Sequence, residues 1–135
     1  LDVSGNTTLG DSSANLLTVK ATSTFSADVT MKKDAYVNGS LYHDSDARLK
    51  TNIVPITSAL DKLSNIKAVA YDWIKTGERD IGVLAQDVEK VFPDMVKTKS
   101  NDFKAVNYTK MVSVLIAAIQ EQQVMISELM KKVMQ

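Results

Sequence analysis

The sequence contains no cysteine and only one histidine, His43, among its 135 residues. The lack of cysteine excludes disulfides, thiolate nucleophiles and thiolate metal sites, and one histidine cannot assemble a zinc site. Its 16 basic and 16 acidic side chains cancel, so the net charge gives no reason to expect nucleic acid as a partner. No apolar run reaches the roughly 18 residues of a membrane span. We therefore expect no cofactor, no metal, no nucleic acid and no membrane, which leaves hydroxyl, amine and carboxylate groups for any chemistry.

Residues 1–44 are rich in Ser, Thr, Asn and Asp, and their apolar residues alternate, as in "LLTVKATSTFSADVTM" and "AYVNGSLY". A period of two with Val and Thr predicts short β-strands, and Gly and Asn supply the turns. The apolar side chains are too small and too sparse for one chain to bury a core here. The pattern therefore favours a repetitive stalk in which several chains share one core. The alternative is a flexible linker.

Residues 45–106 have the composition of a small packed domain with both helices and strands. The spacing predicts a helix over residues 57–63, with Thr57 or Ser58 as its N-cap. The segments "KAVAYDWI" and "IGVLA" alternate like strands on either side of the turn "TGERD", which predicts a hairpin. The segment "AQDVEKVFPDMV" predicts a second helix that Pro93 ends, and "KTKSNDFKAVNY" predicts a second turn between short extended pieces.

From residue 107 to the end the chain has no Gly or Pro, which predicts one long helix. Within it, a set of residues steps by three and four, the spacing of a heptad with β-branched residues at each a position. These residues are Val112, Leu115, Ile119, Gln122, Ile126, Leu129 and Val133. The spacing favours an interchain coiled coil over a helix packed only within its own chain, because Met125, Met130 and Met134 widen the apolar surface further. Such a heptad is typical of two strands, but Gln122 departs from that pattern, so the helix alone leaves the number of chains open.

The segment "HDSDARLKTNI" places Ser45 and Lys50 at the junction of the two halves. A serine becomes a nucleophile when a base removes its proton, and in Ser–Lys dyads a neutral lysine is that base. The nearby positive charge of Arg48 favours a neutral lysine. On one continuous α-helix, positions 45 and 50 lie about 140° apart, so their side chains meet only if the chain turns between them. The alternative is structural: Ser45 or Asp46 caps a helix and Lys50 is solvated.

Several blocks of the sequence together resemble a known family. They are "SDARLKTNI", "ALDKLSNIKAVAYDW", "GERDIGVLAQDVEKVFPDMV" and "VNYTKMVSVLIAAIQEQ", in this order. The chain resembles the C-terminal intramolecular chaperone domain of phage tail spikes and tail fibres, the self-cleaving domain of endosialidase-type spikes. The resemblance runs from Ser45 almost to Gln135.

The resemblance implies an α+β fold in three parts. Residues 1–44 would be the end of a β-stranded trimeric fibre shaft. Residues 45–135 would be the chaperone domain, with a small mixed α/β core at 45–106 and a helix at 107–135 that forms a trimeric coiled coil. The assembly would therefore be a homotrimer.

The resemblance also implies a function in which the domain registers three fibre chains and then acts on its own chain. The N-terminal fibre chain would be both the folding client and the substrate, and the cut would fall at Asp44–Ser45. Ser45 would be the nucleophile and Lys50 its base, which makes the domain a serine peptidase with one turnover. The bond would open through an acyl shift to Ser45 or by direct attack of water.

The same reading implies a tail-fibre precursor that is assembled in the host cytoplasm and a chaperone part that is absent from the mature virion. Two alternatives stay open from the sequence. One is a permanently attached, uncleaved trimeric fibre tip that binds the host surface. The other is a separate α/β binding domain carried on a coiled coil.

Overall fold

The computed structural model describes residues 5, 7 and 16–134 of the chain. The chain divides between Ser45 and Asp46 into two compact units. Apart from residues 5 and 7, positions 1–15 of the predicted shaft lie outside the described residues. So does Gln135, the last residue of the predicted coiled-coil helix.

Over residues 16–45, the first unit contains neither a helix nor a strand. All side chains in this stretch are exposed, and large apolar ones such as Leu17 and Phe25 are 66% and 72% exposed. The strands predicted from the alternating pattern are therefore not formed within one chain. This agrees with the small apolar content of the segment, which gives a strand nothing to pack against. A shared β-structure built by several chains stays a prediction.

The second unit has a mixed α and β composition. Over its described residues, 46–134, the α-helices are α1 (Ala59–Ser64), α2 (Ala85–Val91) and α3 (Tyr108–Val133). The strands in the same range are β1 (Ala68–Asp72), β2 (Arg79–Val83), β3 (Val96–Thr98) and β4 (Lys104–Val106). Short 3-10 helices occupy Ala47–Leu49 and Pro93–Met95. The predicted order of helices and strands is thus confirmed for this unit.

The strands form two separate antiparallel hairpins, β1–β2 and β3–β4. Between β1 and β2 the chain reverses at Gly77, whose φ of +72° is readily adopted by glycine. The sequence placed the end of this turn too late, because Arg79 and Asp80 already belong to β2. Arg79 lies opposite Asp72 and donates to its carboxylate at 3.2 Å, a cross-strand ion pair that extends the hairpin.

The core of the second unit lies where α1, α2, α3 and the second 3-10 helix meet. Its buried residues are Ala59, Val88, Met95, Val114 and Ala118. Small side chains on α1 and α3 allow these two helices to approach closely, and Val88 on α2 is fully buried beside them. The core is small for its unit, so most of the surface of α3 is left uncovered.

The first turn of α1 is held by a residue from α3. The N-cap is Ser58, one of the two predicted candidates, but its φ of +55° is left-handed and its hydroxyl makes no capping hydrogen bond. The backbone N–H groups of Ala59 and Leu60 instead donate to the carboxylate of Glu121, at 3.0 and 2.9 Å. These bonds attach one face of α3 to α1 and thereby determine which face of α3 points away from the core.

Candidate cleavage site and association surface

The predicted cleavage segment contains a single turn of 3-10 helix, Ala47–Leu49. Asp46 is its N-cap, because its carboxylate accepts the backbone N–H of Arg48 at 2.8 Å. Lys50 follows the turn and donates its backbone N–H to the carbonyl of Ala47 at 3.1 Å. The segment is therefore no continuous α-helix. Asp46, one of the two caps that the structural alternative offered, caps this 3-10 turn.

Asp46 and Arg48 also form a side-chain ion pair. The Nε and Nη2 atoms of Arg48 donate to the Asp46 carboxylate at 3.0 and 2.7 Å. The guanidinium and the backbone N–H of Arg48 hold the pKa of the Asp46 carboxyl below its ordinary value, and the carboxylate raises the pKa of Arg48. The charge of Arg48 is thus paired with that of Asp46 within the same turn.

The two predicted catalytic residues lie on either side of this turn. Ser45 is the last residue of the first unit, and Lys50 belongs to the second unit. Asp44, Ser45 and Lys50 are all exposed in the single chain. The backbone of Lys50 is extended, with φ −123° and ψ 148°. Their assignment as scissile residue, nucleophile and base stays a prediction.

The predicted heptad residues form one exposed stripe on α3. Its apolar members are Val112, Leu115, Ile119, Ile126, Leu129 and Val133, and each is 43–77% exposed. Gln122, the polar member, is exposed as well. The residues of α3 that contact the core, Val114 and Ala118, lie roughly 90° away around the helix axis. The heptad stripe is therefore one of the surfaces of α3 that its own chain leaves largely exposed, although Leu60 of α1 lies beside Gln122, Ile126 and Leu129. Its role in a coiled coil stays a prediction.

Glu121 has a structural role that the sequence pattern does not predict. It is half-buried, and the N–H groups of Leu60 and Ala59 lower the pKa of its carboxyl below the ordinary value. Its partners are 61 and 62 residues away in the chain. No local sequence pattern predicts such a contact, because a glutamate on a helix is usually exposed to solvent.

Within the part of the chain that the structure describes, no three His, Asp or Glu side chains come together in a way that could hold a metal ion. Of the described helices, none is both long enough and apolar enough to cross a membrane.

Comparison with known proteins relates one segment of the chain to a family. Residues 45–97 match the family described as chaperone of endosialidase, so the family resemblance of the sequence blocks is confirmed over this segment. The match begins at Ser45, the predicted nucleophile, and ends in β3.

The curated relatives indicate where such a domain occurs. The long tail fiber protein Gp37 of Enterobacteria phage K3 is 31% identical over 104 residues, which covers 70% of this chain and 8% of that protein. The corresponding protein of Enterobacteria phage M1 is 33% identical over 99 residues, or 66% of this chain and 39% of that protein. Outside phages, the myelin gene regulatory factor-like A protein of Dictyostelium discoideum is 31% identical over 94 residues, 60% of this chain and 10% of its own length. The chain thus spans less than half the length of these relatives.

Proposed function

We propose that residues 45–135 are an intramolecular chaperone of a phage tail fibre. In this proposal the domain assembles three chains, helps the shaft that ends at residue 44 to fold, and then cuts itself off at Asp44–Ser45. The observation that carries the proposal is the family match, which begins at Ser45. The division of the chain into two units falls between Ser45 and Asp46, one residue from the proposed cut.

The association of three chains is supported by the uncovered face of α3. Covering a half-exposed Val, Leu or Ile side chain contributes on the order of 1 kcal/mol, and the heptad stripe presents such side chains along almost the whole helix. Ile116 and Met130, which are 52% and 57% exposed, widen the stripe on one side. A helix with this wider apolar face has surface for two neighbours rather than one. The number three itself rests on the family resemblance.

A trimerising domain of this kind solves a kinetic problem for the shaft. Strands that pair between chains lose conformational and translational entropy before any contact stabilises them. Their association is therefore slow. Joining the chains at one end raises the effective concentration of the strands for one another. Removing the chaperone afterwards leaves a shaft that cannot readily refold once it unfolds, so its persistence depends on a slow unfolding rate.

The proposed cut is an attack of Ser45 on the peptide bond before it. Lys50, acting as the base, takes the hydroxyl proton while the Ser45 oxygen bonds to the carbonyl carbon of Asp44. The C–N bond then breaks, the nitrogen takes up the proton and becomes the amino group of Ser45, and an ester joins the two residues. Water hydrolyses this ester, which leaves a carboxylate on Asp44 and restores the serine hydroxyl. Direct attack of water on the same carbonyl gives the same two products.

Cutting in this proposal depends on assembly. A lysine acts as a general base where burial or neighbouring positive charge favours its neutral form. Lys50 is exposed in the single chain, and the nearby Arg48 is paired with Asp46. Neighbouring chains of the trimer would supply the missing burial. The timing of release would then follow the completion of assembly rather than the synthesis of each chain.

The experiment that tests the proposal is the intact mass of freshly expressed, unmutated chain, followed over hours together with its sedimentation. The expected result is a trimer that yields two fragments separated between Asp44 and Ser45. A trimer that keeps one full-length mass would contradict self-cleavage and support the uncleaved fibre tip. A monomer with one stable mass would contradict both fibre functions and support a separate binding domain.

A further inference from the structure

The apolar residues of the heptad stripe repeat in a way that leaves the register of the helices undetermined. The a positions are Val112, Ile119, Ile126 and Val133, which are all β-branched. The outer d positions, Leu115 and Leu129, are identical. If one helix slides along its neighbours by one heptad, most apolar contacts are therefore replaced by equivalent ones. Hydrophobic packing alone gives little preference for helices in register, the arrangement in which each residue lies beside its own copy in the neighbouring chains. We call helices in this arrangement level.

Gln122 is the residue that breaks this repetition. It occupies the central d position, is exposed, and is the polar member of an otherwise apolar stripe. Among the described residues, its side-chain amide has no hydrogen-bond partner, whereas the neighbouring Gln123 donates to the hydroxyl of Ser127 at 3.3 Å. The amide of Gln122 is thus available for a contact outside its own chain.

We infer that Gln122 sets the register of the assembled α3 helices by meeting its own copies in one hydrogen-bonded layer. This inference rests on the proposed trimer. When the helices are level, each amide finds another amide, since every Gln side chain both donates and accepts. After a slip of one heptad, Gln122 faces Leu115 or Leu129 of a neighbour, and its amide is buried without a partner. A buried polar group without a partner is strongly disfavoured, so the level arrangement is selected.

The same selection matters for the proposed fibre shaft. A slip of one heptad displaces a helix by about 10.5 Å, since each residue rises 1.5 Å. Along a β-strand this distance corresponds to about three residues. Because three is odd, a strand displaced in this way also exchanges its inward-facing and outward-facing side chains. A single glutamine in the coiled coil therefore protects the pairing of strands that precede it in the chain.

The test uses the absence of native cysteine, which makes introduced thiols the only ones present. Full-length chains that carry Ile126→Cys report level helices, because their disulfide joins the same position in two copies. Co-expressed chains that carry Ile119→Cys and Ile126→Cys, distinguished by tags of different size, report a slip of one heptad. Both cysteine designs are oxidised in four backgrounds. These are chains with native Gln122 and chains that carry Gln122→Leu, Gln122→Asn or Gln120→Leu. Gln120 is exposed and lies off the stripe, so Gln120→Leu is the matched control.

In native chains, the Ile126→Cys disulfide should dominate and the mixed disulfide should be scarce. Gln122→Leu should keep the trimer and raise the share of mixed disulfide by about tenfold or more. Gln122→Asn, which keeps an amide, and Gln120→Leu should leave the pattern close to that of native chains.

Trimeric Gln122→Leu chains with an unchanged pattern would overturn the inference and assign the register to the rest of the domain. Loss of the trimer in Gln122→Leu would overturn it too, because the glutamine would then be needed for association itself. If chains with native Gln122 sediment as monomers, the proposed function fails together with the inference.

Discussion

The carboxylate of Glu121 caps the N-terminus of α1 by accepting the backbone N–H of Ala59 at 3.0 Å. A second oxygen of the same carboxylate accepts the next N–H at 2.9 Å. A helix leaves its first N–H groups without partners inside the helix, and a negative charge there is stabilised by the helix dipole. Here the cap comes from another helix, so capping and the docking of α3 against α1 are one interaction.

The first prediction concerns this contact. Glu121→Gln should lower the midpoint of thermal unfolding at neutral pH, because it removes the charge and one of the accepting oxygens. The pKa of Glu121 is lowered by folding, so its contribution is fully present above the ordinary glutamate pKa of about 4.3 and is lost as the pH falls through the lower folded value. The difference between native and Glu121→Gln chains should therefore shrink as the pH is taken from 6 towards 3.

Glu128→Gln is the matched control for that experiment. Glu128 lies on the same helix and is exposed, so its substitution should change the unfolding midpoint little at either pH. Equal effects of the two substitutions would show that general charge, and not the cap on α1, explains the loss. Thermal melts followed by circular dichroism provide the measurement.

The second prediction concerns Gly82 in β2. A Cβ atom at this position would lie 2.6 Å from the hydroxyl of Tyr108, which also accepts the N–H of Val83 at 3.2 Å. Gly82→Ala should therefore push the ring away and break this bond between the hairpin and α3, at a cost of about 1–3 kcal/mol. Chemical denaturation measures the change in the free energy of unfolding.

A second substitution makes this prediction specific. In a Tyr108→Phe background the hydroxyl is absent, so the added methyl of Gly82→Ala should cost less than it does in the native chain. Equal costs in both backgrounds would mean that Gly82 is required for its backbone conformation and not for the space it leaves to Tyr108.

The sequence predicted what depends on local pattern and missed what depends on distant partners. The period of two in β1 and the unbroken helical run of α3 come from residues close together in the chain, and both elements were predicted. The end of the first turn was misplaced, because Arg79 and Asp80 already pair with Asp72 and Tyr71 of β1, and the turn residues alone do not indicate these cross-strand pairs. Glu121 was missed, since its capping role exists only once α1 and α3 have packed.

In the candidate site, too, local features could be predicted from the sequence, and features that depend on distant partners could not. Asp46 as a cap is a local feature that the sequence could predict, and the exposure of the heptad stripe follows from which face of α3 Glu121 attaches to α1. The environment of Ser45 and Lys50 depends, in the proposed function, on other chains. Neither the sequence pattern nor the fold of one chain contains that environment.

The third prediction tests the heptad stripe as an association surface. Ile119 is 63% exposed, so Ile119→Glu should leave the folded single chain intact while it places a charge at the centre of the proposed contact. We expect a monomer by sedimentation and, because cutting is proposed to depend on assembly, a chain that stays full length. Val124→Glu is the matched control, since Val124 is 58% exposed on α3 but lies off the stripe. A trimer in Ile119→Glu, or a monomer in Val124→Glu, would contradict the assignment of this face.

The fourth prediction separates the chemistry from assembly. Ser45→Ala removes the proposed nucleophile and Lys50→Ala the proposed base, so each chain should stay full length and still form trimers. The matched controls are Ser40→Ala and Lys67→Ala, which change exposed residues of the same types outside the segment from Asp44 to Lys50. Both control chains should be cut like the native one, as followed by intact mass over hours.

The outcome distinguishes the roles of the two residues. Cutting that survives in Lys50→Ala but not in Ser45→Ala would exclude Lys50 as the base and keep Ser45 as the nucleophile. Cutting that survives in Ser45→Ala would exclude the acyl shift, because no hydroxyl remains to form the ester, and would favour direct attack of water on the carbonyl of Asp44. Failure of both variants to trimerise would instead assign these residues to the structure around the turn at Ala47–Leu49, where Asp46 and Arg48 are already paired.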